Sequence, residues 1–172
     1  ACNGILFNHE SPRRSENFVT RKITLSLAKI KCGLQDKLLL GNLDAKRDWG
    51  YAKEYCEILW RILQLKKADD FVLATGKNHS VKEFVEATAK ELNMNIVWRG
   101  SGKKEVGYET KSKKIIIKID PYFFRPNDVQ SLKGDSSKLY RAIKWKTKTS
   151  FSQLVKIMVK NEKQIIKTNR LY

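Results

Sequence analysis

Residues 7–14 read FNHESPRR, which sets an amide, an imidazole, a carboxyl group and paired guanidinium groups side by side. A guanidinium chelates phosphate through two parallel charge-assisted hydrogen bonds, while an amide donates to phosphate oxygen and accepts from a hydroxyl. An imidazole does either at neutral pH. Together these groups suit an anionic ligand rich in hydroxyls. The run before them, Cys2-Asn3-Gly4-Ile5-Leu6-Phe7, has the length of one buried strand and is ended by polar residues and Pro12. Ligands of open α/β sheets lie beyond the carboxyl ends of the strands, so Asn8, His9 and Glu10 are expected where binding chemistry occurs. Arg47 and Arg125 also carry charge suited to phosphate. A structural reading stands beside each: pairing with Asp48 at a helix start, and bracing the turn before Pro126.

The elements that must position these groups follow from periodicity. Phe18 to Cys32 repeats apolar residues at helical intervals and is stopped by Gly33, so it is read as a helix. Leu38-Leu39-Leu40 before Gly41-Asn42 is read as a strand and turn. Tyr51 to Leu65 carries the broad stripe Tyr55, Ile58, Leu59, Ile62, Leu63, with Asp48 as the expected N-cap. Phe71 to Gly76 repeats the opening design, a buried strand ending in a glycine turn. Ser80 and Glu83 have capping-box spacing and begin a helix through Phe84, Val85, Ala89 and Leu92. A short strand at 95–98, a polar loop or hairpin over 99–114 and a strand at 115–119 come next. A helix near 136–143 precedes a second capping box, Ser150 with Gln153, which opens a final amphipathic helix. Trp49 and Trp145 are assigned to packing. The order indicates an α/β protein without internal repeats, whose strands 2–7 and 71–75 both need neighbours.

The chain has 172 residues, 41% of them hydrophobic, enough for one domain or a piece of a larger one with a packed core. The absence of an apolar span or a leader points to a cytoplasmic chain. Cys2, Cys32 and Cys56 are widely spaced and unaccompanied by His, so neither a disulfide framework nor a metal site is expected. Net charge is +17, which favours an anionic partner. Because the lysines are scattered and the aromatics lack base-stacking spacing, most of the charge is read as solvated surface, with no specific nucleic acid and no membrane as partner.

Five stretches, NGILFNHESPRRSENFVTRKIT, LGNLDAKRDWGYAKEY, DFVLATGKNHSVKEFVE, FFRPNDV and GDSSKLYRAIKWKTKTSFSQLVKIMV, together resemble the C-terminal half of the GDP-mannose 4,6-dehydratase family. The resemblance implies an α/β fold, the C-terminal part of an extended short-chain dehydrogenase/reductase: late Rossmann strands plus a small mixed α/β substrate-binding domain. Residues 1–172 would be the substrate-binding portion, with strands at 1–8 and 71–76 belonging to the nucleotide-binding sheet. The family turns GDP-mannose into GDP-4-keto-6-deoxymannose and water using NADP. It oxidises C4, eliminates water across C5 and C6, and returns the hydride to C6. Its Tyr-x-x-x-Lys pair, Thr or Ser, and Glu, along with the glycine-rich dinucleotide turn, would lie upstream of Ala1, leaving no catalytic residue in this chain.

The resemblance also implies roles for individual residues. His9 and Arg14 would contact NADP, with Arg13 reaching the cofactor site of a neighbouring protomer in a homo-oligomer, dimer or tetramer. Asn8, Val19, Lys22, Gly41, Arg47 and Arg125 would bind GDP-mannose. Asp128 stands where the family carries Glu and would act on ribose hydroxyls or guanine with a shorter reach. Tyr140-Arg141-Ala142-Ile143-Lys144 matches Tyr-x-x-x-Lys, and Gly100-Ser101-Gly102 begins like a glycine-rich loop, but both lack the required context and are read as structural. Two alternatives remain open from residues alone: another nucleotide-sugar epimerase or dehydratase, or a basic nucleic-acid-binding domain.

Overall fold

The computed structural model describes residues 1–124 and 129–169. Its strands are β1 (Gly4–Leu6), β2 (Asn8–Glu10), β3 (Leu38–Leu40), β4 (Lys46–Arg47), β5 (Trp49–Tyr51), β6 (Phe71–Leu73), β7 (His79–Ser80), β8 (Ile96–Arg99), β9 (Val106–Glu109) and β10 (Lys114–Ile119). Its helices are α1 (Val19–Lys31), α2 (Ala52–Leu63), α3 (Val81–Glu91), α4 (Ser137–Ile143) and α5 (Phe151–Asn169).

The strands pair in four groups. β1 lies parallel to β6, β2 lies parallel to β5, and β4 is antiparallel to β7. The fourth group is a mixed sheet in the order β3-β10-β9-β8, its only parallel pairing being β10 with β3. The 99–114 stretch, expected as loop or hairpin, contributes β9 and so joins two hairpins in this sheet.

Two apolar clusters hold the elements together. One gathers Ile23 and Leu27 of α1, Leu38 and Leu40 of β3, Trp49, Phe84 and Val85 of α3, Ile117 of β10, and Val155 and Met158 of α5. The other joins Tyr55, Ile58 and Ile62 of α2 to Phe71, Leu73, Leu139 and Trp145. Trp49 and Trp145 are both buried, and Trp49 meets Phe84 edge-on at 5.1 Å, so their packing role holds. Both capping boxes also form. Ser80 Oγ accepts from Glu83 N while Glu83 Oε2 accepts from Ser80 N, and Ser150 and Gln153 exchange the equivalent pair.

Three local expectations need correction. The opening strand does not run unbroken through residues 2–7. β1 ends at Leu6, Phe7 N still donates to Leu73 O at 3.0 Å, and Asn8 then takes β5 as a new partner. The strand is also not buried throughout, because Ile5 is 54% exposed. Asp48 does not cap α2. The helix starts after Tyr51 with no side-chain cap, and the Asp48 carboxyl, fully buried, turns elsewhere. Its Oδ1 accepts from Thr75 N at 2.9 Å and Thr75 Oγ1 at 2.6 Å, and its Oδ2 accepts from Gly76 N at 2.9 Å and Gly134 N at 3.2 Å. One side chain thereby joins the β4–β5 junction, the exit of β6 and the segment leading to α4.

Asp48→Ala leaves those buried donors without an acceptor, at roughly 1–3 kcal/mol each. The expected loss is at least about 3 kcal/mol, read as a fall in the urea midpoint; an unchanged midpoint would refute the linking role.

Candidate functional site

Side chains alternate along β2. Glu10 is buried toward α1, where Thr20 Oγ1 donates to its Oε2 at 2.5 Å. Asn8 shares that face by alternation, and His9 points the other way, its ring 5.8 Å from the Tyr55 ring of α2. His9 Nδ1 lies 3.0 Å from Phe7 O. A carbonyl only accepts, so Nδ1 carries the proton and Nε2 of the neutral ring is left as an acceptor. The Tyr55 hydroxyl is buried without a hydrogen-bond partner, and its pKa is raised by burial and by the nearby Asp48 and Glu54 charges.

The arginine-rich loop folds back on Glu10. Arg14 Nε sits 3.2 Å from Glu10 Oε2, and its guanidinium lies over the Phe18 ring at 3.5 Å. That Nε is buried and not aligned for a hydrogen bond, and the terminal nitrogens meet no acceptor among the described residues. Arg21 fixes the loop main chain: its Nη1 donates to Arg14 O and its Nε donates to Glu162 Oε1 of α5, each at 2.7 Å. Arg13 is exposed, with only its backbone N–H turned to Ser11 Oγ. Burial raises the carboxyl pKa of both Glu10 and Glu162. Thr20 and the Arg14 charge oppose the rise at Glu10, and Arg21 opposes it at Glu162.

Lys22, one turn into α1, places its ammonium 3.3 Å from the Phe123 ring centre. Burial lowers its pKa, and Asp120 partly restores it. Gly41 follows β3, and a Cβ there would collide with the Phe123 carbonyl, so the close approach that this glycine permits is to main chain. Asp120 N donates to Leu40 O at 2.8 Å on the same stretch. Arg47, on β4, donates through Nη1 to Val129 O at 2.6 Å and to Lys46 O at 2.8 Å. Lys46 and Leu132 also bond through main chain. Residues 120–124 therefore rest on Lys22 and Gly41, and residues 129–132 on the Arg47 strand. Arg125 and Asp128 lie outside the described residues. Val19 is partly buried against the main cluster.

These placements bring Lys22 and Gly41 against residues 120–124, Arg47 against Val129, and Asn8 beside Trp49, two residues from Arg47. His9 lies by Tyr55 on one face of β2 and Arg14 by Glu10 on the other, so the structure does not bring these two together. Phe123, Tyr55 and Arg21 escaped the sequence reading because their partners are distant in the chain and no local spacing marks them. The two short motifs remain structural. Tyr140 is 40% exposed with Lys144 Nζ over its own ring at 5.5 Å, and Gly100 occupies a left-handed turn at φ 78° against Lys104 main chain. Among the described residues no cluster of His, Cys, Asp or Glu could hold a metal, and no helix is long and apolar enough to cross a membrane.

With this geometry in hand, the comparisons decide the family. The sequence model described as GDP-mannose 4,6 dehydratase matches residues 1–158. The chain belongs to that family. A GDP-mannose 4,6 dehydratase of Dictyostelium discoideum is 52% identical over 172 residues, covering 100% of this chain and 48% of that protein. The Homo sapiens protein of the same description is 48% identical over 169 residues, covering 98% and 45%. The chain thus spans about half the length of the curated relatives it matches. Among solved structures, RMD from Pseudomonas aeruginosa complexed with NADPH superposes at TM-score 0.75 with 20% identity, covering 94% of this chain and 48% of that one. dTDP-glucose 4,6-dehydratase from Bacillus anthracis, in complex with NAD, does so at 0.70 with 17% identity, covering 94% and 44%. These likenesses establish that the chain has the fold of the matching half of those two proteins.

Two outcomes follow from this geometry. Gly41→Ala forces the Phe123 main chain off β3 and lifts the ring from Lys22. A thermal melt should show a loss of about 1–3 kcal/mol, the usual scale for overpacking, and an unchanged melt would mean that the segment is not seated there. The raised carboxyl groups set a pH dependence. As pH rises from 4.5, the unfolded chain releases these protons before the folded one does, so their contribution makes stability fall toward neutrality. Glu162→Gln, which keeps an acceptor for Arg21, should flatten that decline in urea titrations; an identical slope would exclude Glu162.

Proposed function

We propose that the chain is the nucleotide-sugar-binding, C-terminal half of a GDP-mannose 4,6-dehydratase. The whole protein would convert GDP-mannose to GDP-4-keto-6-deoxymannose and water. The observation that carries this reading is that residues 120–124 rest on Lys22 and Gly41 while residues 129–132 rest on the Arg47 strand. Lys22 and Arg47 are thereby the cations beside these two stretches, and a sugar diphosphate calls for such charge. Asn8 would hold hydroxyls or phosphate oxygen, Arg125 and Asp128 would complete the clamp, and Val19 would line the nucleotide.

His9 and Arg14 suit NADP. Arg14 has unspent guanidinium nitrogens for phosphate, and His9 presents an Nε2 acceptor on the opposite face of β2 from Asn8. Bound NADP would supply the hydride acceptor at C4 and the donor at C6. Glu10 and Arg21 hold Arg14 in place, which limits the ordering needed on binding. Exposed Arg13 would meet a neighbouring protomer of a homo-oligomer. The strands β1 and β6, parallel to each other, would continue into a larger nucleotide-binding sheet, since parallel strands are normally covered on both faces. The acid, base and hydride-transfer residues would lie in the part of the relatives' length that the chain does not span.

Calorimetry on the chain tests the reading. GDP-mannose should bind at least about tenfold tighter than UDP- or dTDP-sugars, with no keto product formed. Arg47→Ala should cost about 1.5–3 kcal/mol of that affinity, the worth of a charged hydrogen bond, while Arg99→Ala leaves it unchanged. Equal retention of all three nucleotides would turn the reading toward another nucleotide-sugar enzyme, and turnover by the chain alone would refute the placement of catalysis elsewhere.

A further inference from the structure

The lysines are not evenly spread. Between α4 and α5, Lys144, which caps α4 in the left-handed conformation, and Lys146 hold their ammonium groups over the Tyr140 ring at 5.5 and 4.6 Å, while Lys148 faces solvent and Trp145 is buried in the second cluster. Lys156, Lys160, Lys163 and Lys167 then recur at helical spacing on the exposed face of α5. From Lys156 to Lys167 this ladder runs about 16 Å at the helical rise.

Lys148 and this ladder meet at a surface groove of about 420 Å³, lined by Lys148, Thr149, Gln153, Lys156, Ile157 and Lys160. Its uncharged polar groups are already committed. Thr149 Oγ1 donates to Glu54, and Gln153 Oε1 accepts from Ser150 N. Glu54, the neighbouring carboxyl group, is itself occupied by the backbone amides of Lys148 and Thr149. Lys163 is turned to Glu91 O. Among the described residues, no carboxylate pairs with Lys144, Lys146, Lys148, Lys156, Lys160 or Lys167, whereas Lys82 is paired with Glu105 and Lys138 with Asp69.

We propose that this face, from Lys148 to Lys167, docks a single-stranded nucleic acid through its phosphates, without reading sequence. Density of charge selects the partner: the groove offers ammonium groups and one apolar side chain, Ile157, but neither an open strand edge nor a set of apolar pockets to grip a peptide. Its concavity suits a chain and not a plane, and the buried inner face of α5 leaves nothing to insert into a lipid surface. No aromatic side chain lines the groove, so base stacking contributes nothing and affinity rests on counterion release.

The experiment is a salt titration of the full chain against a labelled thymidine 20-mer, with circular dichroism confirming that each variant folds. Lys148→Glu, Lys156→Glu and Lys160→Glu together should weaken binding at least about tenfold and reduce the log–log salt slope by about 2, at roughly 0.7 for each phosphate no longer neutralised. Lys31→Glu, Lys66→Glu and Lys114→Glu change the net charge equally at scattered exposed sites and should leave affinity within about threefold. Equal losses in both triples would overturn the proposal in favour of bulk charge. Binding to anionic vesicles or to polyglutamate with no binding to the oligonucleotide would overturn it as well.

Discussion

A single buried carboxyl group organises the molecule. Asp48 sits between two short strands, β4 with its candidate phosphate ligand Arg47 and β5 with the register partner of Asn8. By accepting from Thr75, Gly76 and Gly134, it ties that junction to the end of β6 and to the segment leading into α4. Buried N–H groups must find acceptors. Strands of two or three residues cannot supply enough of them by pairing alone. One fixed side chain serves three separate loops and sets how far Arg47 stands from Asn8.

A second arrangement holds the arginine-rich loop. Glu10, Thr20, Arg14, Arg21 and Glu162 form a chain of polar contacts from β2 through α1 to α5. Burying such charge is unfavourable unless each group is paired and hydrogen-bonded. Here the pairing shapes a loop: the Arg21 guanidinium reaches two elements at once, so the main chain at Arg14 is held by a helix distant in sequence. The loop keeps a defined form although its arginines are near the surface, and Arg14 retains nitrogens that can meet an anion.

Strand alternation turns Asn8 and Glu10, with Arg14 beside Glu10, to one face of β2 and His9, against Tyr55, to the other. Asn8 and His9 are adjacent in sequence yet point apart. Lys22 meets Phe123 and Arg47 meets Val129, each contact joining residues far apart in sequence. Phe123 beneath Lys22 and the glycine at 41 complete that contact through shape alone, since the ring accepts the ammonium and the missing Cβ admits the main chain.

Periodicity in the sequence was sufficient for all five helices, both capping boxes, the apolar positions of α2 and α3, and the strand at Leu38–Leu40, because each depends on neighbours within a turn or two. The FNHESPRR motif and its companions were likewise enough to place the chain in its family. Three features were decided only by tertiary structure: the break at Phe7, the use of Asp48 as a link instead of a helix cap, and the bond from Arg21 to Glu162. Each pairs groups far apart in the chain, and a side chain's choice between a local and a distant partner is set by which one is buried beside it. Composition likewise established a strongly basic chain, while only the turn of α5 and the groove beside it placed Lys148, Lys156 and Lys160 together.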